Sequence, residues 1–507
     1  SSAQLVLLER SFAAQWILPR REAVLLMMRL TCCLLLAWQA SAQIRVMSPS
    51  WLVKALQESA GRIEGSTATF GAPFYGDRVL GRLVWGESKG GHHHCTAEDY
   101  DLPEEDTVTG ETGYKEKRLI NVAVVRRGKC SFVTKVKVAS EKGAHAVIIV
   151  DRPDSTLTQE ELKNIIVADD GWGSSIHIPS VLVTKEHGEQ LISAAKSDKE
   201  AIIELAWNAP PDHVVTMDLW MSSASTESMH FLSQFAERRR TLNEVVEFIP
   251  HYNIFSMDPA LGGYNDLCSD TSAQYCTEDP DKSGPITGSQ VLEEDIRQLC
   301  IHDITKVPRK RDASSRFVFF ADQWWRYIEQ FPGECPVDGP EEPGGNPHRF
   351  GLACSERLQA SLSIDVIKVQ DCVRNTRLQK MEQQRKNKAW SPRALRINGW
   401  RYTGMLDADL VTRAVCSGFV QEPPECKKIV EPRNPFMKFG ETLEKDLEGG
   451  NSISFSTLFF SLAGVGLAVL LAVYLHKRYL TKSMYGQIRE QVTLEVQSQM
   501  DTYQQMR

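Results

Sequence analysis

The sequence predicts a mixed α/β ectodomain, cross-linked by disulfides and held by a single transmembrane helix. Three observations carry this expectation: short apolar runs alternate with helical patterns from residue 66 onward, ten of the twelve cysteines lie between residue 42 and a long uncharged stretch, and none follows it. At 507 residues the chain is long enough for about three folded units of roughly 150 residues each. Hydrophobic residues make up 42% and charged residues 24%, which excludes bulk disorder and a polytopic membrane protein. The 58 basic and 65 acidic residues give a net charge of −7 without a long basic run, so no nucleic-acid partner is expected.

Taken in order, residues 1–42 read as an upstream segment and signal peptide. Residues 30–42 carry no charge, follow Arg20, Arg21 and Arg29, and end in Ala40-Ser41-Ala42, the small-x-small spacing of a cleavage site; Met27 and Met28 stand just ahead. Residues 453–475 hold 23 residues without a charge, enough to cross roughly 30 Å of hydrocarbon as a helix. Glu441, Glu444, Asp446 and Glu448 precede that stretch and His476, Lys477, Arg478 and Lys482 follow it, which puts residues 476–507 in the cytosol as a tail. Gly464, Ala468 and Ala472 recur on one face and leave a homodimer open.

Within the ectodomain, the runs at 79–86, 119–125, 145–151, 179–184 and 201–207 are predicted strands, with an amphipathic helix from Ser131 to Gly143 between the second and third. A further strand is expected at 214–223, a helix at 229–248 and a strand around 251–255. A largely helical, cysteine-bearing stretch at 265–390 then leads to a hairpin turning at Asn398-Gly399. The cysteines at 95, 130, 268, 276, 300, 335, 354, 372, 416 and 426 are even in number, and their wide spacing without a CxxC pair favours five disulfides over a zinc site.

The segments Phe70-Gly71-Ala72-Pro73-Phe74-Tyr75-Gly76, Val125-Arg126-Arg127-Gly128-Lys129-Cys130-Ser131-Phe132, Gly143-Ala144 and Ile178-Pro179-Ser180 resemble those of a protease-associated (PA) domain. From about residue 66 to the tail the chain is similar to the vacuolar sorting receptors of plants and algae. Their central region ends in the same Cys416-Ser417-Gly418-Phe419 pattern. The resemblance implies a PA domain at 52–207, a thioredoxin-like domain at 208–430 with its helical insertion at about 265–390, and a juxtamembrane linker at 431–452. It also implies a Cys95–Cys130 bridge, and it sets Pro392 in the place of the thioredoxin fold's cis-proline. The family's EGF-like repeats have no counterpart here, where only residues 427–451 intervene before the span.

A thioredoxin needs a thiolate at the start of its first helix, but this chain has Ser222-Ser223-Ala224-Ser225 there, so no redox catalysis is expected. The ectodomain shows no GxSxG and no HExxH, and no catalytic residue, cofactor or metal is assigned. His92, His93 and His94 beside Cys95 read as a solvated loop that gains charge below about pH 6.5, since consecutive residues wrap one ion poorly. By the resemblance, Arg127 with Gly128 and Lys129 forms a cargo-binding loop, against the plainer reading of an arginine that braces the loop. Lys129 stands where the family usually has aspartate. In the tail, Tyr485-Gly486-Gln487-Ile488 fits an adaptor-read sorting signal with Tyr485 and Ile488 as its anchors; an amphipathic helix is the alternative. The partners implied are soluble cargo or an extracellular protein, the membrane, and a vesicle-coat adaptor. The resulting expectation is a type I receptor sorting cargo from the Golgi to the vacuole or endosome. A cell-surface or ciliary-membrane anchor for an extracellular structural protein is the rival.

Overall fold

A computed structural model describes residues 43–441 apart from 90, 92, 105–106, 110–114, 118, 243–244, 263, 282–283, 311–316 and 339–347, together with 469–478 and isolated positions up to 496. It divides into two compact units, Ser1–Phe439 and Gly440–Arg507. The first opens with an eight-stranded sheet built from β1 (Ile44–Ser48), β2 (Arg62–Ile63), β3 (Ser66–Thr67), β4 (Arg78–Trp85), β5 (Ile120–Arg126), β6 (Ala146–Val150), β7 (Ser180–Val183) and β8 (Ile202–Ala206). Their spatial order is β2-β1-β8-β4-β5-β6-β7-β3, parallel from β4 through β7 and antiparallel at both flanks. Parallel strands covered on both faces need continuous apolar runs, and β6 and β7 are buried at every residue. Helix α1 (Phe132–Glu141) covers one face through Val133, Val136 and Ala139; α2 (Lys185–Ala195) covers the other through Leu191 and Ile192.

The sheet reaches further toward the N-terminus than the expected start at 52, because Ile44 and Val46 alternate inward and pair with β8. Each crossover helix starts on a side-chain cap, Ser131 for α1 and Thr184 for α2, which sets the helices off sharply at the C-terminal ends of the parallel strands.

A second sheet, in the order β10-β9-β11-β12, comprises β9 (Val215–Met221), β10 (Val246–Tyr252), β11 (Leu395–Ile397) and β12 (Trp400–Arg401). Helix α3 (Thr226–Leu242) crosses between the parallel pair β9 and β10. The helix expected at 229–248 therefore ends early. Val246 lies four residues beyond Leu242 and satisfies the helical period, but Val246, Phe248 and Pro250 also alternate, and pairing with β9 from Val246 to Tyr252 wins. The β11–β12 hairpin turns at Asn398 (φ 51°) and Gly399 (φ 79°), the left-handed pair of a type I′ turn. Among the described residues the cis peptide is Ser48–Pro49, so Pro392 is trans and does not supply a cis-proline.

The insertion is stapled rather than merely packed. Cys300–Cys372 joins the helices Gly288–Thr305 and Val366–Lys386, Cys335–Cys354 joins the end of the intervening helix Asp322–Glu334 to the helix Leu352–Ser361, and Cys268–Cys276 closes a short loop. Cys416–Cys426 fastens the helix Ala408–Ser417 to the segment after it, and Cys95–Cys130 lies in the first domain. The two domains share one core and are joined by main-chain bonds: Gly404 N–H to Ala68 O and Met405 N–H to Gly71 O, both 2.8 Å.

Residues 431–439 are not a free linker. The half-buried Arg433 guanidinium donates through Nη1 to Ala72 O (2.9 Å) and Pro73 O (3.0 Å) and lies 4.3 Å from the centre of the Phe74 ring. Phe436 O accepts from His145 Nε2 at 3.2 Å, and Phe439 N–H reaches His177 O. The segment is thus strapped to the PA sheet. In the second unit, residues 469–478 are helical and, among the described residues, no helix is long and apolar enough to cross a membrane. The span expected at 453–475 lies outside the described residues over 453–468, as do Tyr485, Ile488, the expected signal peptide and His92.

Candidate functional site

The C-terminal ends of β4, β5 and β6 bring together the loop after Trp85, the turn at 127–131 and Asp151. This is the edge where a parallel sheet gathers its loops. Gly128 (φ 118°) and Lys129 (φ 71°) fold that turn back on itself, and Cys130 N–H closes it onto Gly128 O at 3.0 Å. A lysine held at positive φ is unusual. Cys95–Cys130 ties the turn to the histidine loop, and Lys129 points to solvent.

Arg127 is engaged on the protein side. Its Nη1 donates to Asp151 Oδ1 at 2.9 Å, and its guanidinium lies 5.3 Å from the Phe132 ring centre. Asp151 is 1% exposed; burial pushes its carboxyl up, but bonds from Ser155 Oγ, the Arg152 backbone and Arg127 outweigh that and hold it below the usual carboxylate range. Arg126 makes a bidentate pair with Glu189, whose pKa the arginine's hydrogen bonds lower. Of the three expected cargo-loop residues, Lys129 therefore presents its side chain outward, Gly128 supplies main chain, and Arg127 braces the loop as well as facing it.

The histidine loop is not simply solvated. His94 is fully buried: its Nδ1 accepts from Arg126 N–H (3.3 Å), so Nε2 carries the proton donated to Gly86 O (2.9 Å). Trp85 and Tyr100 pack edge-on against it at 4.9 and 4.7 Å between ring centres. Burial lowers the His94 pKa, so this ring does not gain charge under mild acid as its sequence context suggests. Asp99 organises the loop by accepting from Ser88 Oγ at 2.8 Å and from His94 N–H at 2.5 Å. Beneath it, buried Lys135 donates to His93 O and approaches Cys95 Sγ at 3.5 Å; burial pushes its ammonium down to about 8. Sequence reading missed Asp151, Lys135 and Glu189. Asp151 shows only as the charge ending an apolar run, and Lys135 occupies a helix position between apolar neighbours.

At the thioredoxin position, Ser222, Ser223 and Ser225 are buried at the start of α3, and Ser225 Oγ accepts from Ser228 N–H at 3.3 Å as a cap. Ser223 N–H donates to Asp295 Oδ1 at 2.9 Å. The place of a reactive dithiol is filled by hydroxyls and a buried acid. Among the described residues no cluster of three or more His, Cys, Asp or Glu side chains is arranged to hold a metal ion.

The molecule is thus a PA domain joined to a thioredoxin-like domain whose dithiol is missing. Family models agree: that for the vacuolar sorting receptor thioredoxin-like domain matches residues 215–416, and that for the PA domain matches residues 79–191. The chain is a relative of the vacuolar sorting receptors. It is 25% identical over 422 residues to vacuolar-sorting receptor 7 of Arabidopsis thaliana, covering 77% of this chain and 62% of that one. It is likewise 25% identical over 420 residues to vacuolar-sorting receptor 1 of Pisum sativum, covering 76% and 62%. It therefore spans about 62% of the length of these relatives. Among solved structures, the zinc aminopeptidase BSAP of Bacillus subtilis aligns over 32% of this chain and 30% of its own at 20% identity, with a TM-score of 0.20.

Proposed function

We propose that this chain is a single-span receptor of the secretory pathway that binds peptide determinants of soluble cargo proteins at the edge loop of its PA domain. It sorts them from the Golgi to the vacuole or endosome, with residues 453–475 as the span and Tyr485 and Ile488 read by a coat adaptor. The observation that carries the binding role is the turn at 127–130, held by Cys95–Cys130 and by the Arg127–Asp151 pair, with Lys129 exposed at its tip. A pre-formed loop offering main-chain groups and one outward cation loses little entropy on meeting an extended peptide. The two relatives named above are vacuolar-sorting receptors, and the serines at 222, 223 and 225 offer no thiol for exchange.

The test is delivery. Deleting the chain should divert soluble vacuolar proteins into the medium, and Lys129→Glu, which touches no packed group, should reproduce that loss with unfolding unchanged. Normal delivery in the deletion refutes the receptor role, whereas normal delivery in Lys129→Glu alone moves the binding surface away from the loop.

A further inference from the structure

Of the five disulfides among the described residues, Cys95–Cys130 is the one in which both cysteines are half-buried. Each of the other four keeps one cysteine, Cys276, Cys300, Cys354 or Cys426, at 0% exposed. Exchange requires a thiolate to reach one of the sulfurs from outside, so access separates this bridge from the rest. It lies at the C-terminal edge of the parallel strands, with the exposed Lys129 on one side and the start of α1 on the other.

Each sulfur has a positive neighbour. The buried Lys135 ammonium, which donates to His93 O, lies 3.5 Å from Cys95 Sγ. Cys130 directly precedes the Ser131 cap of the ten-residue α1 and so stands at the positive end of that helix. A cation and a helix start each lower a thiol's pKa and make its thiolate the better leaving group. The other charges nearby are already engaged. Asp99 acts on Lys135 as a counter-charge while accepting from Ser88 Oγ and His94 N–H, His94 is neutral, Arg126 pairs with Glu189, and Arg127 pairs with Asp151. Cys354 also has a cation, Arg357 Nη2 at 3.6 Å, but is fully buried. Comparing the two bridges therefore separates the effect of access from that of charge.

We propose that Cys95–Cys130 is a thiol–disulfide exchange site that takes two electrons from a dithiol, with Cys130 as the sulfur attacked and Cys95 as the sulfur that leaves. The chain is the substrate of this exchange, not its catalyst. A thiolate of the dithiol bonds to Cys130 Sγ, the bridge breaks, and its electron pair departs with Cys95 as a thiolate beside Lys135. The dithiol's second sulfur, having lost its proton to solvent, then attacks its own partner in the mixed disulfide and expels Cys130 as a thiolate at the helix start. Two thiols of the reductant become one disulfide, and one disulfide of the chain becomes two thiols, which take their protons from solvent. Opening frees the histidine loop from the turn, whereas the Arg127–Asp151 pair and the bond from Cys130 N–H to Gly128 O stay, so the turn loosens and the sheet keeps its form. The exchange chemistry is independent of what the loop binds and so goes beyond the receptor reading.

The test treats the full chain in detergent with graded dithiothreitol at about pH 7, blocks the new thiols by alkylation and identifies them by peptide mass spectrometry. Cys95 and Cys130 should be labelled roughly tenfold faster than any other pair, Cys335–Cys354 included, while the other four bridges stay closed. Glutathione, a monothiol, should stop after the first step, with its adduct on Cys130 and a free thiol at Cys95. Limited trypsin should cut after Lys129 in the opened chain and spare the oxidised one. Lys135→Met should slow opening about tenfold without changing that of Cys335–Cys354. In the unsubstituted chain, where folding is not in question, the rate divided by the reductant's thiolate fraction should fall as pH rises through about 8, where the Lys135 ammonium loses its charge. Opening of another bridge first, or of all five together, would overturn the exchange site. An adduct on Cys95, or a thiolate-corrected rate that stays flat through that pH, would overturn the assignment of Cys95 as the leaving sulfur.

Discussion

Arg127→Met tests whether the arginine holds the turn at 127–131 in place. The substitution keeps most of the side chain's length against Phe132 and removes the partner of Asp151, which is 1% exposed. Breaking a fully buried pair from one side costs roughly 3–5 kcal/mol. Here Arg127 is 28% exposed and Asp151 keeps its bond from Ser155 Oγ at 2.5 Å, so solvent screening and the surviving bond reduce the expected loss to about 2 kcal/mol. At roughly 2–4 °C per kcal/mol, the PA transition should fall by about 4–8 °C in calorimetry. The pH dependence follows from the carboxyl. Its folded pKa is depressed, so its contribution is present above the ordinary aspartate range and is lost as pH falls through the folded value. Without the arginine's hydrogen bond and charge that value rises, so acid unfolding should begin at higher pH in the variant. An unchanged transition together with an unchanged acid limb would refute the brace, leaving Arg127 available to ligand alone.

Two further outcomes follow from the same chemistry. Burial holds the Lys135 ammonium at about 8, whereas in the unfolded chain it sits near 10.4, so the unfolded state binds the extra proton between these values. Stability should therefore rise with pH across that window, and urea midpoints at pH 8 and 10 should show the rise in the wild type and lose it in Lys135→Met. Arg433→Ala removes two charge-assisted bonds to main-chain oxygens, each worth roughly 1.5–3 kcal/mol. Trypsin should then cleave after Lys438 at least tenfold faster, and an unchanged cleavage rate would show that the strap is held elsewhere.

How far the fold is legible depends on whether a feature is written locally. The strands from 79 to 206 are legible because both faces of the parallel sheet are covered, which demands uninterrupted apolar runs. The Asn398-Gly399 turn is legible because a type I′ turn admits few residues. The end of α3 is not, since Val246 satisfies the helical and the extended period alike and only pairing with Val215 decides between them. The strap at 431–439 is invisible for a different reason: its anchor is an arginine, read as a surface charge, whose partners at Ala72 and Pro73 are some 360 residues away. The same holds at the candidate site. Arg127 and Lys129 stand out from a local motif, but Asp151, which holds the Arg127 side chain, is connected to them only by the fold.

The ion pairs around the edge loop decide which of its charges is presented to solvent. At the edge loop Arg126 is neutralised by Glu189 and Arg127 by Asp151, so the outward charge comes from Lys129. That lysine occupies a left-handed conformation, which costs a non-glycine residue roughly 1 kcal/mol or more and which aspartate or asparagine tolerates better. The disulfide to Cys95 and the bond from Cys130 to Gly128 O hold it there. On the receptor reading proposed above, a cation fixed at such a position selects an acidic group or a free carboxylate. Lys129→Glu should then invert that preference in a fluorescence-anisotropy series with acidic and basic peptides, and a preference unchanged by the substitution would move the binding surface away from the loop.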